Sequence, residues 1–247
     1  MVALHGSFGR ASVFTPLAER LTTRVRLVAF DQRGHGMADH GGPFTREEFI
    51  ADAAAVIDTL GLGPVSLLGH SLGGITAYQL AARYPELVRA LVIEDVGAVL
   101  RNPEVEHPLL DVRGWPTRAP SLEALAEAIK ARGVPDPSYF LQSAVAAGDG
   151  WRLLFDPDEM MDVQRHGLGD WWPDWLGSSC PALLLRGGHS TLLPRDLAAE
   201  MVRRRPRTTL VEFPTAGHWI HDDDPDRCAN AILRFLTGLE LPSMGNP

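Results

Sequence analysis

Apolar positions in this chain gather into short blocks separated by longer stretches of mixed polarity. Met1-Val2-Ala3-Leu4, Val25 to Phe30, Val65-Ser66-Leu67-Leu68, Val88 to Asp95, Pro181 to Arg186 and Thr208 to Phe213 have the length and character of buried strands. Between them, Ser12 to Leu21, Thr45 to Leu60, Ile75 to Tyr84, Pro194 to Arg204 and Pro225 to Leu236 predict helices. The second of these begins with a capping box, Thr45 with Glu48 three residues on, and Phe49, Ala53, Val56, Ile57 and Leu60 mark its inner face. Gly61-Leu62-Gly63-Pro64 stops it. Strands alternating with helices of this length imply right-handed crossovers and a mostly parallel sheet covered on both faces. Reactive residues are then expected at the carboxyl ends of the strands.

From Gly97 to Gly177 that rhythm breaks. The stretch is proline-rich, holds helical pieces such as Ser121 to Arg132, and carries five of the six tryptophans: Trp115, Trp151, Trp171, Trp172 and Trp175. It predicts a helical cap at 97–177 inserted into a core made of 1–96 and 178–247. The tryptophans either pack cap against core or line an apolar pocket. Trp151, Trp172 and Trp219 are the pocket candidates. The last seven residues, 241–247, predict a loose tail.

Composition narrows the picture. With 247 residues, 45% of them hydrophobic, the chain suffices for one sizeable core. It holds no run of 18 apolar residues and no charged n-region followed by an apolar h-region, so neither a membrane span nor an export signal is expected. Cys180 and Cys228 are too few for a disulfide framework, read as small buried apolar residues, and point to a reducing cytoplasm. A net charge of −8 disfavours nucleic acid as a partner. The one basic cluster, Arg203, Arg204, Arg205 and Arg207, suits the end of a helix.

Chemistry concentrates in Gly69-His70-Ser71-Leu72-Gly73, which fits G-x-S-x-G, a strand-turn-helix elbow with an exposed serine. The flanking glycines allow the close backbone approach of so tight a turn. Ser71 is the nucleophile candidate, and the Leu72 amide, at the start of the next helix, is an oxyanion donor candidate. His218 follows the last strand in Thr215-Ala216-Gly217-His218 and is the base candidate; His5, His35, His70 and His221 lack that placement and read as structural. His218, His221 and Asp222 to Asp224 make at best a weak metal loop, with no helical i, i+4 histidine pair, so no metal is expected.

Together with His5-Gly6 and Asp31-Gln32-Arg33-Gly34-His35-Gly36, these motifs resemble an α/β-hydrolase fold serine hydrolase over nearly the whole length. The resemblance implies that the Ser7 amide is the second oxyanion donor. It also implies that Asp31 to Gly36 is mostly structural, with Arg33 and Asp31 paired, or else that Gln32 or His35 borders the pocket. Many members place the acid about five residues past an Arg-Gly, but here Arg186-Gly187 leads to Thr191. A second arrangement, found in a branch of small esterases, sets it after the preceding strand. Asp95 fits that arrangement, 95 − 71 = 24 residues past the serine, as does its rival Glu94; strand alternation lets only one reach His218, and Asp95 is chosen.

The implied activity is cleavage of carboxylic esters or thioesters of small apolar-acyl substrates through an acyl-enzyme, without a cofactor. Carbon–carbon bond hydrolysis or lactone opening with the same residues is the alternative, and a ligand-binding, receptor-like relative the non-enzymatic one. A serine nucleophile disfavours dehalogenase and epoxide-hydrolase chemistry. The usual first two strands of the fold do not precede Met1. Either the start is late or Val25 to Phe30 forms an open sheet edge through which a homodimer could pair.

Overall fold

The computed structural model describes residues 1–21 and 24–240. In chain order come β1 (Val2–Leu4), α1 (Thr15–Leu21), β2 (Val28–Ala29), α2 (Arg46–Thr59), β3 (Val65–His70), α3 (Leu72–Arg83) and β4 (Val88–Glu94). They are followed by β5 (Val99–Leu100), β6 (Arg118–Ala119), α4 (Leu122–Lys130), α5 (Ser138–Leu141), β7 (Ala144–Ala147), β8 (Gly150–Leu153), α6 (Pro157–Gly167), β9 (Gly169–Asp170) and α7 (Trp172–Leu176). Last are β10 (Ala182–Gly187), α8 (Arg195–Arg204), β11 (Thr208–Phe213), α9 (Ile220–Asp223) and α10 (Pro225–Glu240).

Six strands form one sheet in the order β11-β10-β4-β3-β1-β2, and every neighbouring pair is parallel. From β1 the chain goes outward to β2, then returns to β3 on the other side and proceeds toward β11. The loops leaving the carboxyl ends of β1 and β3 therefore part around a crevice, the place where ligands bind in sheets of this kind. Side chains alternate across the sheet as the two-residue period requires. Ala3, Leu68, Val92, Leu183 and Leu185 face a core shared with Phe14, Leu17 and Leu21 and with Cys228 and Ile232 of α10. Val2, Leu4, Leu67, Leu91, Ile93 and Leu184 face the other, shared with Ile50 and Ile57 of α2, Tyr78 of α3 and Met201 of α8. Thr45 caps α2 as read, its side chain accepting from the Glu48 amide, but the Glu48 carboxylate turns to Arg33 at 3.0 Å, so only the N-cap half of the expected capping box is present among the described residues.

Several expectations are corrected. The second strand pairs over two residues only, because its partner β1 is three residues long; it is nevertheless the sheet edge. The segment 97–177 is not helical alone: β6, β8 and β7 make a three-stranded antiparallel sheet, and β5 pairs with β9. Gly148, at φ +64°, turns the chain between β7 and β8, placing Trp151 in a hairpin. Arg33 pairs with Asp52 and Glu48 of α2, not with Asp31, which instead accepts from the amides of Ala11 and Met37. No helix among the described residues is long and apolar enough to cross a membrane. The tail 241–247 lies outside the described residues.

Candidate active site

β3 is buried along its whole length and ends in a sharp reversal at Ser71, whose φ of 53° and ψ of −121° lie outside the regions favoured by a residue with a side chain. Such a backbone costs on the order of 1–3 kcal/mol and persists only where its surroundings enforce it. Here they do: a Cβ on Gly69 would stand 2.3 Å from the Gly73 carbonyl oxygen, and one on Gly73 would stand 2.1 Å from that of Leu4. The Ser71 amide donates to the Glu94 carbonyl at 3.0 Å, pinning the elbow to β4. Leu72 opens α3, so its amide has no partner within the helix.

The loop after β1 is set by a buried histidine. Gln32 donates its amide to His5 Nε2 at 3.0 Å, so the ring proton sits on Nδ1, which donates to the Gly6 carbonyl at 2.8 Å. Burial pushes the His5 pKa down to about 4, which keeps the ring neutral and able to accept. The Gly9 amide binds the same carbonyl. In a trans peptide the N–H points opposite to the C=O. Drawing the Gly6 oxygen inward thus turns the Ser7 amide outward, toward the crevice.

Asp95 follows β4 at φ +53° and is fully buried. Its Oδ1 accepts from the Gly187 amide at 2.8 Å; its Oδ2 accepts from Ser190 Oγ and from His218 Nδ1, the latter at 2.8 Å. Because Nδ1 donates, the lone pair of His218 lies on Nε2. The His218 backbone is held as well, its carbonyl accepting from His70 Nε2 at 3.0 Å. Burial first, then the neighbouring His218 and His221, lower the His70 pKa well below the ordinary value, so that ring is neutral. Glu94 turns away, as alternation requires, and accepts from His221.

A cavity of about 340 Å³ opens over this ground. Ser7, Ser71, Leu72 and His218 line its floor, with Asp95 behind His218. No hydrogen bond joins Ser71 Oγ to His218 among the described residues; the two face one cavity, as catalytic pairs often do before substrate closes the contact. Phe8, Ile75, Val96, Leu192, Tyr139, Phe140 and Trp219 give apolar walls, while Leu100 and His107 to Leu110 come from the segment after β4. Gln164 clamps that stretch: its Oε1 accepts from the Leu110 amide at 2.8 Å and its Nε2 donates to the Leu110 carbonyl at 2.9 Å. No lysine or arginine lines the cavity among the described residues.

Of the residues read from the sequence, Ser71, His218, Asp95, Ser7, Leu72 and Trp219 are brought together. Trp172 is not: it lies under the Arg204 guanidinium, 3.8 Å from its ring centre, away from the cavity. Trp151 sits in the β8 hairpin and also leaves the lining. Thr191 borders the cavity without being an acid, and its neighbour Ser190 reaches Asp95. Ser190, His70 and Gln164 carry no sequence signal, since each acts through hydrogen bonds to residues distant in the chain. Asp31 to Gly36 is structural, with Gln32 holding His5 and neither Gln32 nor His35 lining the cavity.

The model of the alpha/beta hydrolase family matches residues 1–231. The mouse sn-1-specific diacylglycerol lipase ABHD11 is 30% identical over 258 residues, covering 96% of this chain and 80% of its own. The 2-(acetamidomethylene)succinate hydrolase of Mesorhizobium japonicum is 30% identical over 247 residues, covering 96% and 87%. A crystal structure of E-2-(acetamidomethylene)succinate hydrolase matches with a TM-score of 0.85 at 28% identity, over 96% of this chain and 91% of that one.

Proposed function

The chain belongs to the alpha/beta hydrolase family, and from that premise we propose that it is a serine hydrolase cleaving esters or thioesters of uncharged, apolar acyl groups. The observation that carries this reading is the 2.8 Å hydrogen bond from His218 Nδ1 to buried Asp95, with His218 and strained Ser71 on one cavity.

In this reading Ser71 Oγ attacks the substrate carbonyl carbon while its proton passes to His218 Nε2. Asp95 holds the ring in the required tautomer and steadies the imidazolium. The carbonyl oxygen, now an oxyanion, accepts from the Ser7 and Leu72 amides, each worth roughly 3 kcal/mol in such sites. Collapse breaks the bond to the leaving alcohol or thiol, which takes the proton from His218. Water then gives a proton to His218 and its oxygen to the acyl carbon, releasing the acid and restoring Ser71. Side chains, two amides and water suffice for these steps. Residues 97–177 act as the cap, and the unpaired Cys180 and Cys228 suit a reducing cytoplasm.

The likeness to the succinate hydrolase favours a second reading, hydrolysis of a carboxylate-bearing substrate. A succinate brings negative charge, which calls for a cationic partner when desolvated. The cavity lining offers no lysine or arginine among the described residues, which supports the uncharged acyl class. The test compares p-nitrophenyl butyrate with p-nitrophenyl hemisuccinate. Turnover of the butyrate at least tenfold faster, abolished in Ser71→Ala, is expected; preference for the hemisuccinate overturns the substrate class.

A further inference from the structure

Beside the Asp95–His218 pair stands a second pair of the same kind. Glu94 Oε1 accepts from His221 Nδ1 at 2.7 Å and from the His221 backbone amide at 2.9 Å, and both side chains are fully buried. Consecutive residues at the end of β4 thus grip two histidines three apart in one short segment. Alternation explains how: Glu94 shares the sheet face of Val92, where α9 and Phe14 pack, while Asp95 turns to the crevice. His70 is in register with Glu94 on β3, and its ring lies 5.0 Å from that of His221 and 4.6 Å from that of His218.

His70, Glu94 and His221 present ligand atoms within 4.8 Å of one another. Even opposite ligands of a metal held at about 2.1 Å stand no more than about 4.2 Å apart, so that spread does not make a cage. His70 Nε2 and His221 Nδ1 bond the His218 carbonyl and Glu94, while His70 Nδ1, His221 Nε2 and Glu94 Oε2 are buried without a hydrogen-bond partner among the described residues. What the group does hold is the backbone at and just after His218: its own carbonyl through His70, and the chain three residues later through Glu94.

We propose that the Glu94–His221 pair, with His70, is a positioning device that fixes the depth at which His218 stands between Asp95 and Ser71. The proposal rests on the role given above to His218. Burial pulls the His221 pKa down but the charge and hydrogen bond of Glu94, with Asp222 and Asp223, outweigh it and leave it raised, which marks Glu94 as the dominant partner. Neither side chain touches substrate; both act through His218.

The experiment measures ester turnover per fluorophosphonate-titrated site in the full chain for wild type, Glu94→Leu and Glu94→Gln. Glu94→Leu removes both acceptor contacts, and kcat is expected to fall about 10- to 100-fold with KM changed less than about twofold. Glu94→Gln keeps an acceptor oxygen for the His221 amide and Nδ1–H and is expected to return kcat to within about threefold of wild type. If Glu94→Leu does not fold, His221→Leu, which loses the side-chain contact alone, is expected to show the same split at about tenfold. Folded variants with lowered melting temperature and unchanged kcat per site overturn the proposal, leaving a mere anchor. Ser71→Ala run alongside separates the two readings: turnover surviving there refutes the hydrolase assignment, whereas turnover lost there but intact in Glu94→Leu refutes the positioning role alone.

Discussion

Below the cavity, Ser71, Asp95 and His218 stand at ends of paired strands or in a loop pinned by buried hydrogen bonds; above it, Leu100, Phe140 and Gln164 come from elements of two, four and eleven residues. The floor holds Ser71 and Asp95 in strained backbone. The roof is built from short elements packed through apolar side chains such as Trp115, Phe140 and Met160 and tied by polar contacts such as the Gln164 clamp on Leu110. On the proposed mechanism the floor does the chemistry and the roof shapes the space for substrate, so variants of the two parts should fail differently.

The largest effect is expected from Ser71→Ala, which removes the proposed attacking atom and should lower kcat by about 10⁴-fold or more in ester turnover. Asp95→Asn keeps the shape but supplies an uncharged partner to the His218 ring, and a loss of about 10³-fold is expected. A variant of the roof that matched either loss would erase the contrast. Ser190→Ala takes one hydrogen bond from Asp95 and should lower kcat about tenfold with KM little changed.

Gln164→Leu should do the reverse, raising KM severalfold with kcat within about twofold, because it frees the His107–Leu110 stretch and leaves the floor intact. A drop in kcat with constant KM would show that the roof takes part in chemistry.

The floor should also carry the acid sensitivity of the fold. Burial, with the neighbouring His5, pushes His35 down to about 3, burial holds His5 at about 4, and His70 lies well below its ordinary value. Unfolded, each takes a proton near 6.5. Their neutral burial is thus compatible with folding above that pH and opposes it as pH falls toward 4, by about 1.4 kcal/mol per unit for each histidine. His221, with its raised value, works oppositely: its contribution is complete below about 6.5 and fades as pH rises through its folded pKa. Three against one, the melting temperature should fall between pH 7 and pH 5; a rise would contradict the neutral assignments.

The same contrast governs what could be read from the chain. Parallel strands buried on both faces announce themselves as apolar blocks, so the parallel sheet was legible, and G-x-S-x-G and the histidine after the last strand are local signals that name Ser71 and His218 as candidates. Asp95 was picked out by the resemblance to members that set the acid after the preceding strand, with strand alternation choosing it over Glu94. The roof was not legible, because its strands are two to four residues long and obtain their pairing from tertiary context. One signal was available: Gly148-Asp149 between Ala144-Val145-Ala146-Ala147 and Gly150-Trp151-Arg152-Leu153 is a two-residue hairpin turn. It would have removed Trp151 from the pocket. Trp172 mislaid itself for another reason, since an aromatic ring satisfied by an arginine on the surface looks in sequence like one that lines a cavity.

The central claim is that Ser71 is activated by His218 and that Asp95 is what makes His218 able to act. Labelling with a fluorophosphonate, followed by peptide mapping and timed in wild type and in Asp95→Asn, measures it directly. The label is expected on the peptide containing Ser71, at a rate slowed about 10³-fold by Asp95→Asn; labelling elsewhere, or at the wild-type rate in Asp95→Asn, would contradict the claim.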